Sequence, residues 1–310
     1  MLLNILLVVI GIILVLWGAD RMTDGAVALA ERMNIPQIVI GLTIVAMGTS
    51  APELFVSLVS AIKGTPDLAV GNVVGSNIFN TLLIVGCAAI AAPLAMLRTT
   101  VKRDLPFILV VSALLMVMCL DMHITRIDAL VLFGLFLLYI AYTLAKSGKS
   151  QTEDETEKKG YSPLKSVFLI ALGLGCLILG SNLFVNGATE IASLLGVSEA
   201  VIGLTVVAGG TSLPELATSV VAARKGQSAI AIGNVIGSNI FNILMILGIT
   251  GIICPMQIQG ITTVDLCVMT ASSLLLWLFA FTKLKVARWE GVVLVLLFFG
   301  YMYWLISEAI

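Results

Sequence analysis

"VIGLTIVAMGTSAPELFVSL", residues Val39–Leu58, is apolar enough to cross a bilayer, yet it carries Gly48, Pro52 and the ionisable Glu53 near its middle. Set beneath it, "VIGLTVVAGGTSLPELATSV" from Val201 to Val220 repeats the pattern at an offset of 201 minus 39, or 162 residues. The same offset holds elsewhere without a gap. "GNVVGSNIFN" (Gly71–Asn80) returns as "GNVIGSNIFN" (Gly233–Asn242), Pro93 returns as Pro255, and Arg126 with Asp128 returns as Arg288 with Glu290. Even the first apolar run takes part, because Gly18, Asp20, Asp24, Gly25 and Ala26 align with Gly180, Asn182, Asn186, Gly187 and Ala188. The chain is an internal duplication.

Hydrophobic residues make up 59% of the chain and charged ones 11%, with a mean hydropathy of +1.11. A soluble domain is roughly half apolar and a quarter charged, so the balance places the chain in a bilayer. A span needs about 20 mostly apolar residues. Ten such stretches follow one another: Leu3 to Ala19, Val39 to Ile62, Leu68 to Ala92, Leu105 to Leu120, Ile127 to Ala145, Val167 to Val185, Val201 to Ala223, Ile230 to Ile253, Leu266 to Phe281 and Gly291 to Ile306. The opening "MLLNILLVVI" lacks the basic start and small-residue cleavage pattern of a signal peptide, so it reads as the first helix.

Five spans per half is an odd number, so the second half enters the membrane upside down relative to the first. The expected fold is an all-α polytopic membrane protein of ten transmembrane helices in two inverted five-helix repeats, the plan of many secondary transporters. Residues 1–145 form the first repeat, 146–162 a polar cytoplasmic linker and 163–310 the second repeat. With both termini outside (N-out/C-out), 15 of the 17 Lys and Arg residues fall on the cytoplasmic side and only Lys63 and Arg126 outside, as the positive-inside rule requires. A multi-pass protein of the plasma (inner) membrane is therefore expected. The five cysteines lack C-x-x-C spacing, which indicates neither a zinc site nor a disulfide framework. A formal net charge of −1 gives no case for nucleic acid.

Breaking a span beside a carboxylate has a chemical reason. Pro52 lacks an amide hydrogen and its ring collides with the carbonyl four residues back, Gly48, so the helix is interrupted there. A freed carbonyl in hydrocarbon needs a partner, which restricts such breaks to protein-lined or polar cavities. Pro214 and Gly210 set up the same break in the second half. Thr49 and Ser50 precede Glu53 by four and three residues, and Thr211 and Ser212 stand in the same relation to Glu215. In the following span of each half Ser76 and Asn80, and Ser238 and Asn242, are four apart. Converging from two halves, these groups form an all-oxygen cluster suited to a hard cation rather than to zinc or copper. A carboxylate at a helix centre costs about 2.5 to 3.5 kcal/mol on insertion scales, so two of them require a compensating partner. A mobile cation supplies it, or a proton when the site is empty.

The pairs G-T-S-A-P-E and G-T-S-L-P-E, each followed by G-N-x-x-G-S-N-I-F-N, resemble the two alpha repeats of the calcium/cation antiporter superfamily, and most of all the prokaryotic sodium/calcium exchanger family. The resemblance covers the whole chain. It implies a monomeric ten-helix antiporter, not an enzyme and without a cofactor, that moves Ca²⁺ outward against inward Na⁺, commonly three Na⁺ per Ca²⁺. It also implies Glu53 and Glu215 as central ligands, with Thr49, Ser50, Thr211, Ser212, Ser76, Ser238, Asn80, Asn242 and backbone carbonyls around Ala46 and Ala208 completing the sites. The first and sixth helices would slide across the rest as a gating pair. Some relatives carry aspartate where this chain has Asn242, which leaves two formal negative charges here. A Ca²⁺/H⁺ antiporter is the nearest rival reading. An intramembrane hydrolase is disfavoured, since no span carries an H-E-x-x-H motif or a buried histidine.

Overall fold

The computed structural model describes residues 1–147, 161–196, 208–258 and 260–309. Most of the expected linker and the start of the expected seventh span lie outside these residues. Helix α1 (Leu2–Met33) runs far beyond the apolar stretch that announced it and stops at Asn34, whose φ of 52° turns the chain left-handed. The sixth apolar stretch likewise lengthens into a 32-residue helix. In α1 the polar C-terminal turns lie inside the protein, with Met22, Thr23 and Ala26 wholly buried, whereas in the later helix Asn182, Asn186 and Glu190 are exposed.

After α1 come α2 (Gln37–Ile40), a π-helical turn (Gly41–Val45) and α3 (Ala46–Thr49). Helix α4 (Ala51–Ile62) then departs at 46° from the segment before it. Gly64, at φ 80°, turns the chain into α5 (Pro66–Ile78). A π turn (Phe79–Ile84) links α5 to α6 (Val85–Ala91). Strand β1 (Leu94–Ala95), a π turn (Thr100–Asp104), α7 (Leu105–Met118), β2 (His123–Ile124) and α8 (Arg126–Ser147) complete the first half. The second half holds α9 (Pro163–Leu194), α10 (Ala208–Thr211), α11 (Leu213–Arg224) and α12 (Ser228–Ile240). A π turn (Phe241–Ile246), α13 (Leu247–Ile253), β3 (Met256–Gln257), α14 (Thr263–Lys283), β4 (Lys285–Val286) and α15 (Arg288–Ala309) follow.

From α4 onward the bounds of most elements recur at the interval found in the sequence: α4 with α11, α5 with α12, the π turns at Phe79 and Phe241, α6 with α13, β1 with β3, and α8 with α15. Pairing crosses between halves. β1 bonds to β4 and β2 to β3, both antiparallel, so each short strand joins the copy of the other rather than its own. Among the described residues, eight helices are long and apolar enough to span a membrane, and the bent pair Gln37–Thr49 with Ala51–Ile62 makes a ninth if it counts as one crossing. Segments Leu68–Ala91 and Ser228–Ile253 are the most buried of these and form the centre.

Local chemistry sets the helix ends. Thr262 and Asp265 form a reciprocal capping box at α14, which satisfies two donors that a helix start leaves open. Thr125 and Asp128 do the same for α8, and Glu290 accepts from the Ala287 amide at 2.6 Å before α15. Asp104 instead is fully buried and pairs with Arg103 at 2.6 Å.

Helices α1 and α9 pack antiparallel along a glycine seam. Gly11 faces Gly180, Gly18 faces Gly173, and Gly25 faces Ser166. Lipid gives no hydrophobic drive for two apolar helices to meet, so close backbone approach supplies the attraction. A Cβ on Gly180 would stand 2.7 Å from the Gly11 carbonyl oxygen. Gly180→Ala is therefore expected to cost about 2 kcal/mol through forced separation of the helices, read as a lower melting temperature in detergent. Gly175→Ala, on the same helix with no described atom within 4 Å, is expected to be neutral or mildly stabilising.

Candidate functional site

The break in each half centres on a serine. Ser50 has φ −84° and ψ 8°, and Ser212 has φ −91° and ψ 7°, close to the sparsely populated bridge region where many active-site residues sit. The prolines do not sit at the kink itself. Pro52 and Pro214 occupy the second positions of α4 and α11, where a missing amide hydrogen costs little because it would have no helical partner. Helical bonding resumes at once, with the Leu54 amide donating to Ser50 O at 3.2 Å and the Leu216 amide to Ser212 O at 3.0 Å. The carbonyl of Gly210, four residues before Pro214, accepts a hydrogen bond from Ser181 Oγ of α9.

Ser50 and Ser212 also exchange partners across the halves. Ser50 Oγ donates to Glu215 Oε1 at 2.9 Å, and Ser212 Oγ lies 3.2 Å from Glu53 Oε1. Each serine stands three residues before its own glutamate but binds the other half's carboxyl group. Together the two bonds draw Glu53 and Glu215 into one cluster. Both glutamates are 1% exposed. Among the described residues neither pairs with a basic side chain. Their second oxygens, Glu53 Oε2 and Glu215 Oε2, have no hydrogen-bond donor.

Other expected residues gather around this pair. Ser212 Oγ lies 3.5 Å from Ser76 Oγ as well as near Glu53, and Thr49 Oγ1 lies 3.1 Å from Asn234 Oδ1 and 3.3 Å from Ala46 O. Carboxyl, hydroxyl, amide and carbonyl oxygens thus approach one another within 3.5 Å, the donor type that hard cations favour. Asn80 and Asn242 are each the second residue of a π turn. An extra residue in the turn re-aims side chains, a recurring device at functional sites. Each of these asparagines is 1% exposed and has an amide oxygen without a donor, while Asn80 Nδ2 donates to Asn239 Oδ1 at 3.0 Å. Ser238 is fully buried and faces Glu215. Thr211 is half-buried. The Ala46 carbonyl is occupied by the Ser50 amide at 3.0 Å and by Thr49. Ala208 opens α10.

Residues that the sequence reading passed over hold this cluster in place. Asn72 Nδ2 donates to Glu53 O at 3.2 Å and to Ser57 Oγ at 3.0 Å. In the second half Asn234 Nδ2 donates to Glu215 O at 3.3 Å and to Ser219 Oγ at 2.9 Å. Each amide therefore ties the first turn of a broken helix to its neighbour. Asn239 continues the network to Thr81 Oγ1 at 2.8 Å. The signal for both clamps lay in the repeat, since Asn72 with Ser57 and Asn234 with Ser219 are related by the same 162-residue offset. No group of three or more His, Cys, Asp or Glu occurs among the described residues, so the cluster's donors are carboxyl, hydroxyl and amide oxygens, the set that hard cations prefer.

The sodium/calcium exchanger protein model matches the chain twice, over residues 3–145 and 165–307. The chain belongs to the sodium/calcium exchanger family and is a multi-pass membrane protein. It is 41% identical over 320 residues to the putative antiporter CaxA of Alkalimonas amylolytica, covering 99% of this chain and 100% of that one. It is 34% identical over 342 residues to the sodium/calcium exchanger MaX1 of Methanosarcina acetivorans, covering 96% and 97%. Its fold matches the solved sodium-calcium exchanger NCX_Mj, soaked with zero Na⁺ and Ca²⁺, at a TM-score of 0.87 and 33% identity, covering 98% of this chain and 99% of that one.

Asn234→Ala leaves the Glu215 carbonyl, Ser219 and Thr49 short of a partner in a site where Asn234 itself is fully buried. The expected cost is about 2 kcal/mol. Thermal unfolding checks it, and Ca²⁺ should raise the melting temperature of the variant by less than it raises that of the wild type.

Proposed function

We propose that the chain is a secondary antiporter that exchanges Ca²⁺ for Na⁺ by alternating access, with Glu53 and Glu215 as the central ligands of both ions. The observation that carries the reading is the pair of buried carboxyl groups from two chain halves, held together by exchanged serines and each retaining an oxygen without a donor. Thr49, Ser50, Ser76, Asn80, Thr211, Ser212, Ser238, Asn242 and backbone carbonyls near Ala46 and Ala208 complete the ion positions. The relative named a putative antiporter supports antiport, and the relative and solved neighbour named sodium/calcium exchangers support the ion pair.

The cycle is electrogenic on this reading. Two carboxylates are neutralised by one Ca²⁺, whereas about three Na⁺ leave the loaded cluster at +1, and one charge crossing the field is worth about 2.3 kcal/mol per 100 mV. Na⁺ and Ca²⁺ are close in size, so discrimination rests on charge density and ligand number. If the ions exclude each other, moving one gradient drives the other without a cofactor or a chemical step. The chain acts as a monomer in the plasma (inner) membrane.

Ten crossings, arranged as two inverted repeats with both termini outside, provide the path. Parity supports this count. The antiparallel packing of α1 on α9 needs an even number of crossings between them, which makes the bent pair Gln37–Ile62 a full crossing beside α5–α6, α7 and α8. Pairing of β1 with β4, and of β2 with β3, requires each couple to lie on one membrane face. Both conditions call for one further crossing between α9 and α12, where α10 and α11 lie. Residues 1–145 and 163–310 then form the two repeats, joined through 146–162.

Reconstituted into proteoliposomes, the wild type is expected to accumulate ⁴⁵Ca²⁺ against an outward Na⁺ gradient at fixed pH. A pH gradient without Na⁺ should drive none, and uptake under that gradient alone would reassign the counter-ion to the proton. Glu53→Gln and Glu215→Gln should each lower Na⁺-driven uptake at least about a hundredfold, the scale of losing more than 2.7 kcal/mol of ion binding, while the protein still inserts and folds. Wild-type flux in either variant would remove that residue from the site.

A further inference from the structure

Four polar contacts join the α1–α9 pair to the broken helix of the second half. Lys225, the residue that caps α11, places Nζ 2.5 Å from Asp20 Oδ1 and 2.9 Å from Asp24 Oδ1 of α1. The same Nζ also reaches the Asp20 carbonyl at 3.1 Å. Arg21 braces the cluster from its solvent side, 3.0 Å from Asp20 Oδ2. Ser181 of α9 adds its bond to the Gly210 carbonyl. Because the chain is duplicated, each tie has a counterpart position, and there the chemistry is missing. Lys63 stands where Lys225 stands, but Asn182 and Asn186 replace the two aspartates and Ala19 replaces Ser181.

Packing breaks the symmetry in the same direction. Helix α11 lies along α1, and Ala217 on it is 5% exposed, whereas the counterpart Phe55 on α4 is 70% exposed. Thus the long pair covers the helix below Glu215 and leaves the helix beyond Glu53 uncovered. With both termini outside, Lys225 marks the cytoplasmic end of α11 and Lys63 the outer end of α4.

We propose that Lys225 is a positioning residue for the transport step: its grip on Asp20 and Asp24 holds α1 and α9 against α11, shuts the cytoplasmic path to Glu215, and makes the outward-open state the resting one. This inference rests on the ten-crossing exchanger reading above. In the opposite state the pair lies against α4, and the positions that correspond to Asp20 and Asp24 offer Lys63 the neutral amides of Asn182 and Asn186. The two end states of an inverted repeat would be equal in energy if the halves were identical, so unequal residues at these positions set the balance between them. The side chains of Lys225 and Asp24 are 27% and 11% exposed, so salt screens this contact less than a solvated pair.

For a ligand that binds a partly populated state, the apparent dissociation constant is the intrinsic one divided by that population. Removing the grip should therefore tighten apparent Ca²⁺ affinity on the cytoplasmic face and weaken it on the outer face. The experiment measures half-saturating Ca²⁺ for Na⁺-driven ⁴⁵Ca²⁺ exchange in right-side-out and inside-out vesicles. Lys225→Gln, and Asp20→Asn with Asp24→Asn, are each expected to move the two values in opposite directions severalfold. Lys225→Arg should restore the wild-type ratio, which a merely structural loss would not allow. Asn182→Asp with Asn186→Asp, which gives Lys63 its missing partners, should shift the ratio as Lys225→Gln does. Deuterium uptake along Leu213–Arg224 gives a second readout that needs no transport, and it should rise in Lys225→Gln and return in Lys225→Arg. Equal movement on both faces, or none, in variants whose wild-type parent exchanges Ca²⁺ for Na⁺ would overturn the role of Lys225 alone. Absence of exchange in the wild type would overturn the exchanger reading and this inference together.

Discussion

Two carboxyl groups buried within one hydrogen-bonded cluster are the constraint on which the molecule depends. Like charges in a medium of low polarity raise each other's energy, and neither glutamate has a basic partner among the described residues. The groups that bond or flank them supply oxygen rather than a compensating cation: hydroxyls from Ser50, Ser212, Ser76 and Thr49. The surrounding helices bring that crowd of acceptors together and keep it away from lipid. Broken spans, π turns and clamping asparagines are three solutions to that one problem. Each moves a polar group inward while giving its backbone a partner, as a water-poor interior demands.

Duplication explains how a chain of this size builds such a site. A single half offers one carboxylate, one kinked helix and one small-residue helix to pack against it. Two halves together supply two of each, and the exchanged serine bonds show that neither half closes its own cluster. The same exchange appears at the periphery, where each short strand pairs with the other half's copy of its neighbour. Asymmetry then enters residue by residue. Asp20 and Asp24 against Asn182 and Asn186, or Ala19 against Ser181, are small changes on an otherwise repeated frame.

Much of this was legible in the sequence, because the signals that carried it are strong and local. Long apolar runs gave the helices, and the offset of 162 residues gave the repeat. The glutamates stood out because a carboxylate is costly at mid-membrane depth. What escaped has physical reasons. Hydropathy locates a helix only while it is apolar, so the apolar runs end well short of the ends of α1 and α9. Proline was read as the kink, but its ring fits the first turn of the following helix and the deviation falls on the preceding serine. Asn72 and Asn234 carry no local signal, since nothing in the neighbouring sequence reveals that an amide will reach a carbonyl on another helix. The π turns depend on tertiary packing and leave no periodic trace.

The short strand pairs have a mechanical consequence. One clasp joins residues 94–95 to 285–286 and the other joins 123–124 to 256–257, so the bundle is stitched from half to half by backbone bonds at two separate places. Neither clasp includes α1 or α9, whose hold on the bundle among the described residues comes from side chains and close packing. A force that displaces those two long helices bypasses both strand clasps, whereas one that pries the halves apart meets the two. Main-chain stiffness is thus placed between the halves, and compliance is left to the pair that lies outside the stitching.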